Sequence, residues 1–195
     1  MIINGYSQPG SSANTLAKGT NAKLLIQING TNSGASGAQG GLFIGASNSV
    51  VKGLVINRFR KTDATDIGPE TSADVAPNRR IEGNFLGTGP SGTTDEGNGS
   101  AGIFLFAGSN NTIGGASLAA RNLISGNDLA GVFIEGGGFN AFPSADNNKV
   151  RGNLIGTQKD GIRALVNSGE GVDVSGTPKA TASSLTPSSL TAPWA

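Results

Sequence analysis

Short runs of alternating apolar and polar residues recur along the chain, each bounded by glycine, asparagine or serine. One type is a glycine followed by an apolar/any/apolar triplet, as in Gly102-Ile103-Phe104-Leu105 and Gly131-Val132-Phe133-Ile134. A second type places an apolar residue two positions before a glycine, as in Ile81-Glu82-Gly83. A third is a short run such as Leu154-Ile155-Gly156-Thr157. Period-two runs between turn residues predict strands rather than helices.

A longer repeat contains these runs. Residues 78–108 match residues 147–177 at a shift of 69 positions with no gap. The three types of run also keep a constant order along the chain. Equivalent strands therefore return in the same direction after every third strand. This order predicts an all-β parallel solenoid with three strands per coil, rather than a stack of hairpins.

Glycine and asparagine accept left-handed backbone conformations, so they suit the bends between strands. Asn84, Asn127 and Asn153 each follow a glycine at such a bend. We expect their amides to bond along the stack or back to the chain.

Two segments depart from the repeat. Residues 60–77 lack the glycine-apolar triplet and contain two prolines, which predicts a loop that leaves the coil. From about Thr177 the chain is rich in Ser, Thr, Pro and Ala, so we assign residues 1–176 to the solenoid domain and residues 177–195 to a tail. The tail is either a disordered linker or a cap on the last coil, with Leu185, Leu190 and Trp194 as its contacts. A reading-frame change or a truncated gene would produce the same pattern.

Composition narrows the possible chemistry. The 14 basic and 13 acidic residues give a net charge of +1, and no basic block favours nucleic acid or an anionic membrane as a partner. Cysteine and histidine are both absent, which excludes disulfides, thiolate chemistry and an imidazole base. Any catalysis must therefore use carboxylates, Lys, Arg, Tyr6 or hydroxyl groups.

The strings NGYSQPGSSANT, GNFLGT, NNTIGG, RNLISGN and GNLIGT resemble the repeats of bacterial extracellular right-handed parallel β-helix proteins, in the pectate-lyase-like fold group. The resemblance covers about residues 1–176 and implies a right-handed parallel β-helix of about five coils. It also implies an extracellular or cell-surface location. No signal peptide precedes Ile2, so either the protein stays in the cytoplasm or the sequence is a segment of a longer secreted chain. We favour the second alternative because both ends of the sequence look cut. The catalytic residues of that group match no positions here.

Alternation within the glycine-apolar strands predicts which side chains face inward. The aliphatic pairs fill the core and are Leu42/Ile44, Ile103/Leu105, Val132/Ile134 and Val172/Val174. Phe43, Phe104, Phe133 and Asp173 then lie outside on the same sheet, and an exposed aromatic stripe indicates a binding surface. Three occupants are consistent with it: a covering segment (60–77, 136–147 or the tail), another copy of the chain, or sugar rings. Arg163 is a further candidate for substrate binding.

Glycoside hydrolysis requires two carboxyl groups about 5–9.5 Å apart. Glu135 and Asp173 are the candidates: on adjacent strands they lie diagonally, about 7–8 Å apart. Glu135 would act as the general acid and Asp173 as the base that activates water. Asp63, Asp66 and Glu70 are weak candidates for a calcium site, and the pattern requires no cofactor or other metal.

Lys52, Glu82 and Arg151 share an outer column of another sheet, where Lys52 and Glu82 can pair.

Two functions fit the sequence. The first is an extracellular module that binds a polysaccharide along the aromatic face. The sequence leaves open whether this module also cleaves the polymer; cleavage through Glu135 and Asp173 would make it a glycoside hydrolase rather than a lyase. The second is a non-catalytic structural or adhesin segment of a large bacterial surface protein. In both, open strand edges predict self-association, through the ends of the stack or through the aromatic face.

Overall fold

In this computed structural model, the regular structure of the described residues is almost entirely β-strand. Two 3-10 helices of one turn each, Gly5–Ser7 and Leu118–Ala120, are the helical elements of the described residues. The structure describes residues 1–33, 41–59, 65–67, 77–136, 144–176 and 182–184.

Three parallel sheets hold the strands, and each sheet takes every third strand of the chain. In spatial order, the first sheet contains β1 (Ile2–Asn4), β4 (Val50–Lys52), β7 (Arg80–Glu82), β10 (Thr112–Gly114), β13 (Lys149–Arg151) and β16 (Ala182–Ser184). The second contains β2 (Ile26–Asn29), β5 (Leu54–Asn57), β8 (Phe85–Leu86), β11 (Leu123–Ile124) and β14 (Leu154–Ile155). The third contains β3 (Leu42–Phe43), β6 (Thr65–Ile67), β9 (Ile103–Phe106), β12 (Val132–Gly136) and β15 (Val172–Gly176). The prediction of an all-β chain built from parallel strands is confirmed.

One apolar core lies between the inner faces of the three sheets. In the first sheet, Val51, Ile81 and Ile113 stack in register, and Ile56, Leu86 and Ile124 do so in the second. All six side chains are at most 1 % exposed. Burial of each contributes about 1.5–3 kcal/mol, so this register is strongly preferred over a one-residue slip that would turn the apolar set outward.

A second apolar cluster covers the outer face of the second sheet. It joins Val55, Phe85, Leu123 and Leu154 to Leu24 from the segment between β1 and β2. Tyr6 packs against this cluster, and its hydroxyl donates to the carbonyl oxygen of Gly83 at 2.7 Å. Burial, together with the Glu82 carboxylate, raises the pKa of Tyr6 to about 12. The outer side of this sheet is therefore occupied by the protein itself.

Two features differ from the predictions. Within the predicted loop 60–77, β6 pairs with β3 on one side and β9 on the other, because main-chain hydrogen bonds from two neighbours override a weak local strand signal. Val174, expected in the core, is 41 % exposed because β15 is the edge strand of its sheet. The other predicted inward side chains are buried or half-buried.

The tail contributes a strand to the first sheet. Ala182–Ser184 pairs in parallel with Lys149–Arg151. Leu185, Leu190 and Trp194, the predicted capping contacts, lie outside the described residues.

Buried asparagines join successive strands at the bends between the first and second sheets. The Oδ1 atom of Asn122 accepts the main-chain N–H of Asn84 at 2.9 Å. Asn122 in turn donates from its Nδ2 atom to Oδ1 of Asn153 at 2.9 Å. The Nδ2 groups also donate back to carbonyl oxygens, as Asn122 does to Ile81 at 2.8 Å. The prediction that the amides of Asn84 and Asn153 bond along the stack or back to the chain is therefore confirmed, and both kinds of bond occur.

Equivalent ladders occupy the other two bends. Between the second and third sheets, Asn98 donates to Oδ1 of Asn127 at 2.9 Å, and Asn127 donates to Oδ1 of Asn167 at 2.9 Å. Between the third sheet and the next strand of the first, Asn111 donates to Oδ1 of Asn148 at 3.1 Å. Arg79 precedes Asn111 in this ladder, and the main-chain N–H of Arg79 donates to Oδ1 of Asn111 at 2.9 Å.

Replacing Asn122 with Ala should lower the free energy of unfolding by about 3 kcal/mol or more. The substitution leaves buried donors of Asn84 and a buried carbonyl without their partner, and each loss costs about 1–3 kcal/mol. Denaturant unfolding provides the measurement. The control is Asn29→Ala at an exposed position that accepts one hydrogen bond from Thr31. Equal losses in the two variants would contradict the role of the ladder.

Candidate functional site

The outer face of the third sheet carries one column of side chains that contains most of the predicted site. Strand pairing places Phe104 beside Phe133, and Phe133 beside Asp173. Their inward neighbours, such as Ile103 and Val132, are fully buried. Because successive side chains alternate between faces, Phe104 and Phe133 must lie on the outer side.

The two phenyl rings form a stacked pair. The ring centroids of Phe104 and Phe133 are 5.1 Å apart with an interplanar angle of 25°. The ring of Phe106, two residues along the same strand, lies 6.0 Å from that of Phe104. All three rings are half-buried, so part of each apolar surface contacts solvent. We call Phe104, Phe106 and Phe133 the aromatic cluster.

Phe43 belongs to the same column but not to the aromatic cluster. Strand β6 lies between β3 and β9, so the register neighbour of Phe43 is Asp66, and Asp66 is followed by Phe104. The sequence did not predict this interruption because residues 60–77 were assigned to a loop. Conversely, it missed Phe106, although the alternation of Ile103, Phe104 and Leu105 continues one step further to include it.

Glu135 and Asp173 take the predicted diagonal positions. Phe133 pairs with Asp173, while Glu135 pairs with Ser175 on one side and Phe106 on the other. Diagonal positions on adjacent strands correspond to a separation of about 7–8 Å. Both carboxylates are half-buried and border the aromatic cluster. The face thus combines apolar rings with two acids at its edge.

Arg163 lies on a different side of the molecule. It belongs to the segment between β14 and β15, where its Nε atom donates to Oδ2 of Asp160 at 2.6 Å. A Cβ on Gly161 of the same segment would lie 3.1 Å from the Leu154 side chain, which belongs to the cluster outside the second sheet. The structure therefore does not bring Arg163 to the aromatic cluster.

An acidic groove lies beside the bend between the second and third sheets. It has a volume of about 510 Å³ and is lined by Arg58, Asp95, Glu96, Gly97 and Asp128. Both carboxylate oxygens of Glu96 bond the Arg58 guanidinium, at 3.0 and 3.1 Å, and Oε2 also accepts from Asn57 at 2.8 Å. The hydrogen bond and charge of Glu96 raise the pKa of Arg58. Through these contacts, Glu96 stabilises the bend between the second and third sheets.

On the first sheet, Lys52 and Glu82 are register neighbours, as predicted. The ion pair of Glu82, however, is with Arg80 on its own strand, at 3.8 Å. Two residues apart on one strand, Arg80 and Glu82 point to the same face.

Within the described ranges, no three acidic side chains come together in a way that could hold a metal ion. The proposed calcium ligands Asp63 and Glu70 lie outside those ranges.

No protein-family model matches the chain, and comparisons with curated proteins and with solved structures find no match. Among the residues that the structure describes, no helix is long and apolar enough to cross a membrane.

The carboxyl group of Asp160 should titrate near pH 2. Hydrogen bonds from the main-chain N–H of Ile162, then from the Arg163 side chain and main chain, lower its pKa from 3.8 to about 2. The folded-state pKa is depressed, so this group stabilises the fold above about pH 4, and that contribution is lost as the pH falls towards 2. In Arg163→Gln the pKa should rise but stay below 3.8, because the main-chain bonds remain. Carboxyl chemical shifts measured by NMR test this, and an unchanged midpoint would contradict the pairing.

Proposed function

We propose that the chain is a right-handed parallel β-helix of five coils that binds a polysaccharide along the outer face of its third sheet. Each sheet takes every third strand, which is the order that a three-sided helix of successive coils requires. Crossover connections between parallel strands of one sheet are right-handed in about 98 % of cases, which supports the handedness. We further propose an extracellular or cell-surface location for such a module.

The stacked pair of Phe104 and Phe133 carries the proposal. Aromatic rings present an apolar surface with a specific preferred geometry. The apolar face of a pyranose ring can pack against the ring edges and against the outer faces of the pair, which do not take part in the stack. The two rings are held on adjacent strands, so their positions are fixed by the sheet and little ordering is required on binding. Partly exposed phenyl rings on a sheet surface are otherwise unfavourable, which favours a ligand at this face.

Polar groups flank the rings where sugar hydroxyls would lie. Glu135 and Ser175 follow the column on one side, and Asp173 lies beside Phe133. Carboxylates accept hydrogen bonds from hydroxyl groups, and such bonds fix the orientation of a ligand that apolar stacking alone leaves free to rotate. The strands repeat in register, so the face extends along the stack and suits a linear polymer.

The proposal extends from binding to catalysis if the bound polysaccharide is also hydrolysed by Glu135 and Asp173. A separation of about 7–8 Å between Glu135 and Asp173 falls within the range of about 6.5–9.5 Å that inverting glycoside hydrolases use. Glu135 would protonate the leaving oxygen, and Asp173 would activate a water on the opposite face of the sugar.

The open ends of the stack favour a structural role as the second candidate. Ile2 is 69 % exposed at the edge of the first sheet, and Val174 is 41 % exposed at the opposite edge of the third. Apolar edge strands pair readily with another chain, so a segment that gives length to a surface protein, and associates end to end, would use these edges.

Phe104→Ala/Phe133→Ala should abolish or weaken retention of neutral polysaccharides at least tenfold. The loss follows because two stacking surfaces are removed, each worth about 1–3 kcal/mol of burial. Affinity electrophoresis on a panel of immobilised glycans gives the measurement, with a reducing-end assay for cleavage on the same panel. Glu135→Gln should retain binding and lose any cleavage.

The matched control is Ile162→Ala, which removes an apolar side chain that is 60 % exposed on another surface. It should bind like the wild type. Failure of the wild type to bind any glycan in the panel would leave the structural role as the explanation of the fold.

A further inference from the structure

The outer face of the first sheet is basic. Arg80, Thr112 and Lys149 stand in register in one column, with β10 separating the two charged strands. Lys52 and Arg151 lie in the next column, two positions further along their strands. We call these four basic residues, with Glu82, the basic face. The basic face therefore has a net charge of +3, whereas the net charge of the whole chain is +1.

A groove runs beside this face where the third sheet leads into the first. It has a volume of about 530 Å³ and is lined by Asn78, Arg79, Arg80, Asn110, Thr112, Asn147 and Lys149. The Asn78, Asn110 and Asn147 backbones share left-handed φ angles of 62°, 60° and 56°, so the same bend recurs on three successive strands. The groove is therefore periodic along the stack, with carboxamide groups on one side and basic groups on the other.

The basic side chains are available to a ligand. Arg80 pairs with Glu82 at 3.8 Å, yet the Arg80 side chain remains 56 % exposed. A single exposed ion pair of this length contributes little, so it can be exchanged for a contact with an external anion. Lys149 and Arg151 are exposed as well.

The Arg79 side chain forms the groove floor and is fully buried. It donates to the carbonyl oxygens of Gly45 and Ala46, at 2.9 and 3.3 Å. The main chain of Arg79 is held by the asparagine ladder. The side chain of the next residue, Arg80, therefore extends into solvent from a fixed position.

The spacing of the charges indicates what kind of anion would fit. Arg80 and Lys149 are two strand spacings apart, about 10 Å, and Lys52 and Arg151 are three apart, about 14 Å. Each strand of duplex DNA carries a phosphate about every 3.4 Å along the helix axis, a much denser charge. Sparse cations alternating with amide and hydroxyl groups complement a polymer with few charges and many hydroxyls.

We propose that the basic face is a second binding surface, which takes a linear anionic polysaccharide laid along the stack of strands. Arg80 and Lys149 bind its acidic groups, and Asn110, Asn147 and Thr112 bond the hydroxyls between them. This face belongs to a different sheet from the aromatic cluster, so the proposal stands whether or not the third sheet binds a glycan.

The test is Arg80→Gln/Lys149→Gln, measured by calorimetry against hyaluronan, which carries one carboxylate in every second sugar. The wild type should bind hyaluronan at low salt and more weakly at high salt, and it should bind neutral dextran more weakly at this face. The double variant should bind hyaluronan about tenfold more weakly, because two exposed ion pairs are lost. Unfolding curves of both proteins check that the fold is retained.

The matched control is Lys18→Gln/Lys23→Gln, which changes the net charge equally at two exposed positions elsewhere. It should keep hyaluronan affinity within about twofold of the wild type. Phe104→Ala/Phe133→Ala should retain salt-sensitive hyaluronan binding, which separates this surface from the aromatic cluster. Equal losses in the two charge variants, or no binding by the wild type, would overturn the proposal. So would tighter binding of oligo-dT or phosphatidylserine vesicles through Arg80 and Lys149.

Discussion

Asparagine side chains that bond from one strand to the next determine how this chain stacks. Each carboxamide can accept from the strand before it and donate onward, so it satisfies main-chain groups at a bend that no strand ladder reaches. Three such ladders, one at each bend, hold successive strands in a single register. A shift of one residue would break all three ladders and expose the apolar core, and both costs oppose it.

The side chains that lie on the outer faces of the sheets follow from that register. Once Ile103 and Val132 face the core, Phe104 and Phe133 must face outward and meet as a stacked pair. On the first sheet, burial of Ile81 likewise turns Arg80 and Glu82 outward. The second sheet differs because its outer side chains, including Phe85, are covered by other segments of the chain. The outer faces of the other two sheets carry an aromatic and a basic set of side chains.

The strands of the third sheet and the bends between sheets could be predicted from the sequence. Period-two alternation identified the strands around Phe104, Phe133 and Asp173, and the glycine–asparagine pairs identified the bends, because both signals are local. The strand at Thr65–Ile67 could not be predicted, since main-chain bonds from distant neighbours determine it. Arg163 was misplaced for a different reason: it pairs with Asp160 only three residues away, inside the segment that joins the second sheet to the third. The second apolar cluster was also missed, because Leu24 and Phe85 are far apart along the chain.

Hydrogen exchange at the ladder amides tests the central claim most directly. The main-chain N–H groups of Asn84, Asn111 and Asn127 donate to asparagine oxygens on the next strand and not to a strand ladder. If the side-chain ladders hold the stack together, these three amides should exchange as slowly as the amides of Leu123 and Val132, which donate to neighbouring strands. Exchange at the rate of an exposed amide that donates no hydrogen bond would contradict the account.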